Sequence, residues 1–155
     1  MAGFFSRLFG SSKPEEEADA LTPELAAATL LVEAALTDGV YAEVESVAIR
    51  TVLQDAFGLS EDDARALRDR AEDEAENAID AHRFTTQVKK LDEAQRLKVI
   101  EGLYLVAQAD GDPCKFEDAF IRHIGSLLHI EDVARNQARQ RAQAANLSSD
   151  DNTTA

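Results

Sequence analysis

The sequence predicts an all-α protein, an irregular bundle of about seven helices with two pseudo-repeated helix-turn-helix halves. Three observations predict this fold. Glycine and proline are scarce, at 7 and 3 of 155 residues, and tryptophan is absent, whereas good helix formers such as Ala, Leu, Glu, Arg and Gln recur throughout. Apolar residues recur at spacings of three and four. The chain also matches itself at an offset of 72 residues.

Capping and stop signals set the bounds of the first two predicted helices. Thr22 can cap the first helix with its hydroxyl, and Pro23 suits the first helical position. We expect this helix to run to about residue 38 and to stop at Gly39. The second helix is expected over about 42–57, where Gly58 closes it.

The next two predicted helices are less apolar. Ser60 caps the third, which is expected to be the most exposed because its apolar seam is thin and consists mainly of alanine: Ala64, Leu67, Ala71, Ala75 and Ala78. A short fourth helix over about 81–90 presents apolar residues at helical spacing: Phe84, Val88 and Leu91.

Three further helices complete the predicted bundle. Asp92 caps the fifth, which ends before Gly111 and has one apolar face formed by Leu97, Ile100, Leu103 and Ala107. The sixth is expected over about 115–128, with its core side formed by Phe116, Phe120, Ile124 and Leu127. The seventh covers about 131–145. Because the connections are short, neighbouring helices are expected to fold back on one another.

The chain divides into three parts. Residues 21–147 form the helical domain, residues 148–155 are expected to be a disordered polar tail, and residues 1–20 a flexible segment. The beginning of that segment is amphipathic and aromatic, with one side formed by Phe4, Phe5, Leu8 and Phe9. This side suits weak or peripheral membrane association or contact with another protein. The alternative is a frayed tail, or one that folds back on its own domain.

Charge and composition exclude several classes of function. The net charge of −14 repels nucleic acid, so we expect no nucleic-acid partner. Cys114 is the only cysteine, which excludes an intramolecular disulfide and a zinc site built of several thiolates. The sequence contains neither a transmembrane run nor a secretory signal, and the cytoplasm is therefore the expected location.

The internal repeat duplicates one acidic arrangement. Asp38-Gly39 aligns with Asp110-Gly111, and a glutamate follows seven residues after each aspartate, at Glu45 and Glu117. Each aspartate ends a helix, where it faces the negative end of the dipole, and each continues an apolar stripe. We therefore expect cationic groups or several hydrogen-bond donors to face these carboxylates at the edge of the core.

Two interpretations of these turns remain open. Each aspartate can cap the following helix while the glutamate complements its dipole. Alternatively, aspartate and glutamate converge as oxygen ligands for Ca²⁺, Mg²⁺ or Mn²⁺. The second turn is richer in carboxylates, because Asp112 lies between Asp110 and Glu117. Neither turn has the length or the glycine of an EF-hand.

On these residues the chain resembles the TerB-like family of tellurite-resistance and stress-associated proteins. The resemblance covers about residues 24–145 and rests on the paired stretches 31–45 and 106–118, with residues 79–85 between them. It implies about seven helices in duplicated halves and acidic residues proposed to bind metal. The corresponding positions are Asp38, Glu45, Asp110 and Glu117, with Asp112 as a further acidic residue.

The expected function is that of a stress-related binding protein whose acidic turns hold a divalent cation or a basic partner. An enzyme is not expected, because no general acid, general base or nucleophile stands at a useful spacing. One alternative is a metal-free scaffold for protein interaction or membrane association. Another, ranked below it, is a metal-dependent hydrolase that uses the carboxylate cluster.

Overall fold

The computed structural model describes residues 20–37, 41–78, 81–109 and 115–153, without the side chains of 115–117 and 146–153. This part of the chain forms the predicted all-α bundle and contains no β-strand. Seven helices follow in order: α1 (Pro23–Leu36), α2 (Glu43–Phe57), α3 (Glu61–Glu76), α4 (His82–Val88), α5 (Glu93–Ala107), α6 (Lys115–Leu127) and α7 (Asp132–Thr153). None of the described helices is both long and apolar enough to cross a membrane.

The predicted capping residues begin three of the helices. Thr22 accepts a hydrogen bond from the Leu25 N–H (3.1 Å), and Pro23 occupies the first turn of α1. Ser60 in α3 and Asp92 in α5 accept the equivalent bonds at 3.1 and 2.8 Å. Gly58 ends α2 with a φ of 63°, a left-handed conformation that glycine adopts without strain.

Helix α1 lies at the centre of the bundle and packs against α2 to α6. The sequence predicted a single apolar stripe, but every residue from Leu25 to Ala35 except Glu33 is buried. Because alanine and leucine cover its entire circumference, α1 has no polar face to turn to water. Thr29 fits this interior because its hydroxyl donates to the Leu25 carbonyl at 2.8 Å.

The helix bounds follow the internal repeat. Shifting α2 by 72 residues places its start at residue 115, where α6 begins, and the same shift places α1 within one or two residues of α5. The two central helices are therefore the repeated pair, each followed by an acidic turn and a second helix. Helices α2 and α7 both pack on α5.

A glycine allows α5 to approach α2 closely. A Cβ atom at Gly102 would lie 2.4 Å from Val52 Cγ1 and 3.4 Å from Leu31 Cδ2. Real Cβ atoms essentially never lie so close to another atom, so a side chain at position 102 would force Val52 to shift. Through this close approach, α1 and α2 of the first repeat and α5 of the second share one core.

Two sequence predictions differ from the observed helices. The core side of α6 was placed on Phe120, Ile124 and Leu127, but Phe120 and Leu127 are only half-buried, and the fully buried residues are Ile121, Ile124 and Leu128. Phe116 lies outside the described side chains. The sequence predicts that the last helix ends near Ala145, whereas α7 continues to Thr153. Alanine and glutamine favour the helix up to Ala145, and no glycine or proline follows to stop it before Thr153.

Candidate functional site

The first acidic turn leads into α2, and Glu45 is the predicted ligand that the structure describes there. Its side chain is buried, with a residue exposure of 2 %. One carboxylate oxygen, Oε2, accepts a hydrogen bond from the Ala42 N–H at 3.2 Å. This is the glutamate half of a capping box; Ala42 has no side-chain oxygen for the reciprocal bond. Glu45 is thus held at the end of the turn that contains Asp38.

A polar cluster fastens this turn to α3. The Tyr41 hydroxyl donates to Glu72 Oε1 at 2.9 Å. Arg68 donates from Nη1 to the Ser46 carbonyl at 3.4 Å, and its Nε lies 3.7 Å from the same Glu72 oxygen. Because these groups span two helices, the start of α2 is held in a defined position relative to α3.

The environment of Tyr41 favours its neutral form. Partial burial and the hydrogen bond to Glu72 raise the pKa of the Tyr41 hydroxyl well above its usual range, and the negative charge of Glu72 adds to the effect. Hydrogen bonding with Ser46 and the Arg68 charge lower the pKa by less. Tyr41 therefore remains a hydrogen-bond donor across the physiological pH range.

Tyr41→Phe is expected to reduce the free energy of unfolding by about 1 kcal/mol at pH 8, because one hydrogen bond between α3 and the turn is lost. The folded protein holds the tyrosine proton more tightly than the unfolded chain, in which the pKa is about 10. The stabilisation is therefore complete below that pH and is lost as the pH rises above it. Urea unfolding of both proteins at pH 8 and at alkaline pH should show the difference shrinking; a difference that grows with pH would contradict this assignment.

The second acidic turn is described only at its edge. Asp110 and Asp112 lie outside the described residues, as Asp38 does, and the side chain of Glu117 is also outside the description. The neighbouring carboxylate, Asp118, accepts a hydrogen bond from Arg122 Nη2 at 2.9 Å. Its buried Oδ1 atom has no hydrogen bond within the described structure, although Arg139 Nη1 lies 3.9 Å away.

Sequence reasoning missed the arginines around these turns. That positive groups or several hydrogen-bond donors face Asp38 and Asp110 stays a prediction, because both aspartates lie outside the described residues. Arg122 was recognisable because it follows Asp118 by four residues, the spacing of a helical ion pair. Arg68 and Arg139 come from distant parts of the chain, and no local pattern identifies them. Within the described ranges, no three His, Cys, Asp or Glu side chains are grouped so that they could hold a metal ion.

Comparison with protein families agrees with this architecture. The model of the tellurite resistance protein TerB matches residues 24–140, which is most of the chain. The chain belongs to the TerB family. Neither a curated protein nor a solved structure matches it.

The TerB match places both acidic turns inside the family domain. It begins in the first turn of α1 and ends within α7, so it includes residues 38–45 and 110–117. The aromatic N-terminal segment and the last part of α7 lie outside the match. The predicted duplication and the capping residues Gly58, Ser60 and Asp92 thus lie within the TerB match, whereas Thr22 and Pro23 precede it.

Proposed function

We propose that this TerB-family chain is a cytoplasmic binding protein, not an enzyme, and that its duplicated acidic turns bind a divalent cation. Asp38 and Glu45 would supply oxygen ligands in the first turn, and Asp110, Asp112 and Glu117 in the second. Carboxylate oxygens are the ligands that Ca²⁺, Mg²⁺ and Mn²⁺ prefer.

The observation that carries the proposal is the position of Glu45. Glu45 is almost fully buried in the first turn of α2, seven residues after Asp38. The Ala42 N–H donates to its Oε2 atom and fixes the side chain at the turn. A cation bound between Asp38 and Glu45 would gain from a ligand that is already positioned. The net charge of −14 would add a general attraction for cations.

Helix capping is the competing explanation, and the bond between Glu45 and Ala42 is compatible with it. The two explanations predict different effects of added ions on the Tm of the protein. In the cation explanation, an ion at about one hundred times its dissociation constant stabilises the protein by about 2.7 kcal/mol. For a domain of this size, that corresponds to a rise in Tm of about 5–10 °C. In the capping explanation, millimolar ions leave Tm unchanged.

The experiment is thermal unfolding of the full chain with and without Ca²⁺, Mg²⁺ or Mn²⁺. Asp110→Asn and Glu45→Gln keep the size and the hydrogen-bonding oxygen but each removes a charge, so each is expected to reduce the ion-induced rise. Asp112→Asn identifies the contribution of the second turn. Asp73→Asn on the exposed side of α3 is the matched control, because it removes the same charge away from the turns.

The capping explanation predicts different effects of these substitutions on stability. Asp110→Asn would then cost little, since asparagine caps well, whereas Asp110→Ala would cost about 1 kcal/mol. If no ion raises the Tm of the parent, or if the turn variants respond to ions as Asp73→Asn does, the cation proposal is wrong.

A further inference from the structure

A surface groove runs between α2 and α5, on the outer side of the close contact at Gly102. Its volume is about 270 Å³, and most of the surface exposed inside it is apolar. The residues that line it are Thr51, Val52, Asp55, Lys98, Glu101, Gly102 and Leu105. The absence of a side chain at Gly102 lets Val52 form the floor. Charged pairs flank the groove. Lys98 Nζ lies 3.7 Å from Asp55 Oδ2, and Arg141 Nε donates to Glu101 Oε2 at 2.9 Å.

The apolar surface continues beyond the groove along α2. Val44 and Val47 are 48 % and 38 % exposed, although valine side chains are usually buried. They precede Thr51 by seven and four residues and therefore share its face of the helix. The groove and these two valines form one apolar strip that none of the described residues covers.

We propose that the chain's own N-terminal segment, residues 1–10, docks in this groove and lays the aromatic side formed by Phe4, Phe5, Leu8 and Phe9 along the apolar strip. Amphipathic helices commonly bind apolar grooves with residues at this spacing. The aromatic residues supply large apolar surfaces that would be removed from water.

Charge supports this occupant. The first fourteen residues contain two basic side chains, Arg7 and Lys13, and no acidic one, whereas the chain as a whole carries −14. Docking would bring this basic segment against the acidic domain. Docking would place Arg7 near Asp55 and Glu101, which also pair with Lys98 and Arg141. A second copy of the helical domain would instead bring two acidic surfaces together, which is unfavourable.

The length of the connecting chain also supports docking within one molecule. Residues 10–20 separate Phe9 from Leu21, which packs against the core. Eleven extended residues span up to about 36–40 Å, whereas the fifteen residues of α2 span about 22 Å. A tether of this kind gives an effective concentration in the millimolar range, so even a weak contact is populated.

The test uses fluorescence, because the chain contains no tryptophan. In full-length protein carrying Phe9→Trp, we expect blue-shifted emission and quenching by acrylamide several-fold weaker than in a free peptide of residues 1–14 with the same substitution. Val47→Asp and Thr51→Lys should each restore strong quenching, the first by placing a charge on the apolar strip and the second by repelling Arg7. Val133→Asp on α7 is the matched control, since Val133 is an exposed valine that does not line the groove.

Circular dichroism of the groove variants would establish that they retain the fold. Four results would each overturn the proposal. The tryptophan could be as accessible as in the free peptide, or remain protected in both groove variants. Protection could increase with protein concentration, which indicates a second copy. Finally, the blue shift could require vesicles of phosphatidylcholine and phosphatidylglycerol, which indicates a membrane surface.

Discussion

Phe84→Ala is expected to reduce the free energy of unfolding by about 3–5 kcal/mol, the range for removing a large aromatic side chain from a packed core. Phe84 is 1 % exposed and lies on α4, which has only seven residues and packs against the central helix α1. Ala81 at its start provides no side-chain cap. So short a helix is unstable by itself, and its position depends on the burial of Phe84 and Val88.

Urea unfolding of the parent and the variant measures this loss. Phe57→Ala is the matched control, because Phe57 is a half-buried phenylalanine at the end of α2 and its removal should cost clearly less. Phe84→Leu should retain more than half of the stability that Phe84→Ala loses. If Phe84→Ala and Phe57→Ala were equally stable, the anchoring role of Phe84 would be refuted.

Gly102→Ala is expected to destabilise the protein by about 1–2 kcal/mol, although alanine normally favours a helix. Alanine should gain about 0.5–1 kcal/mol in the interior of α5. Against this, its Cβ would lie 2.4 Å from Val52 Cγ1, and overpacking of this kind typically costs about 1–3 kcal/mol. Val52 is β-branched and buried, so it has little freedom to move aside.

Gly125→Ala provides the comparison for this substitution. The nearest atom to its added Cβ is Arg135 Cδ at 3.2 Å, part of a flexible stem, so its effect should stay within about 1 kcal/mol. Adding Val52→Ala to Gly102→Ala should recover part of the lost stability, and a double-mutant cycle of unfolding free energies measures this coupling. If Gly102→Ala and Gly125→Ala had equal effects, α2 and α5 would not approach each other closely at Gly102.

Local signals predicted the helices well because each one depends on neighbouring residues. Thr22, Ser60 and Asp92 cap helices through bonds to N–H groups three residues away, and Gly58 ends α2 through its own conformation. The burial of α1 on all sides was not predicted, because a stripe such as Ala28, Leu31 and Ala35 does not reveal what covers the opposite face. Packing of distant helices decides that.

The candidate site was predicted from the repeat alone, and the structure describes one of its five carboxylate side chains, Glu45. Its hydrogen bond to Ala42 is local and follows from the position of a glutamate in the first turn of a helix. Its nearly complete burial depends on the packing of the whole bundle. Gly102 did leave a sequence signal, since an isolated glycine within a helical pattern usually marks close packing. Its partner Val52, fifty residues earlier, left none.

The burial of α1 on all sides has a consequence for a protein made of two similar halves. A lone half, containing one central helix and its successor, would expose the apolar side that α1 presents to α5. Such a surface is removed from water when it meets the same surface of an identical chain. A single half would therefore need a second copy to cover the surface that the two halves of this chain cover for each other through α1 and α5.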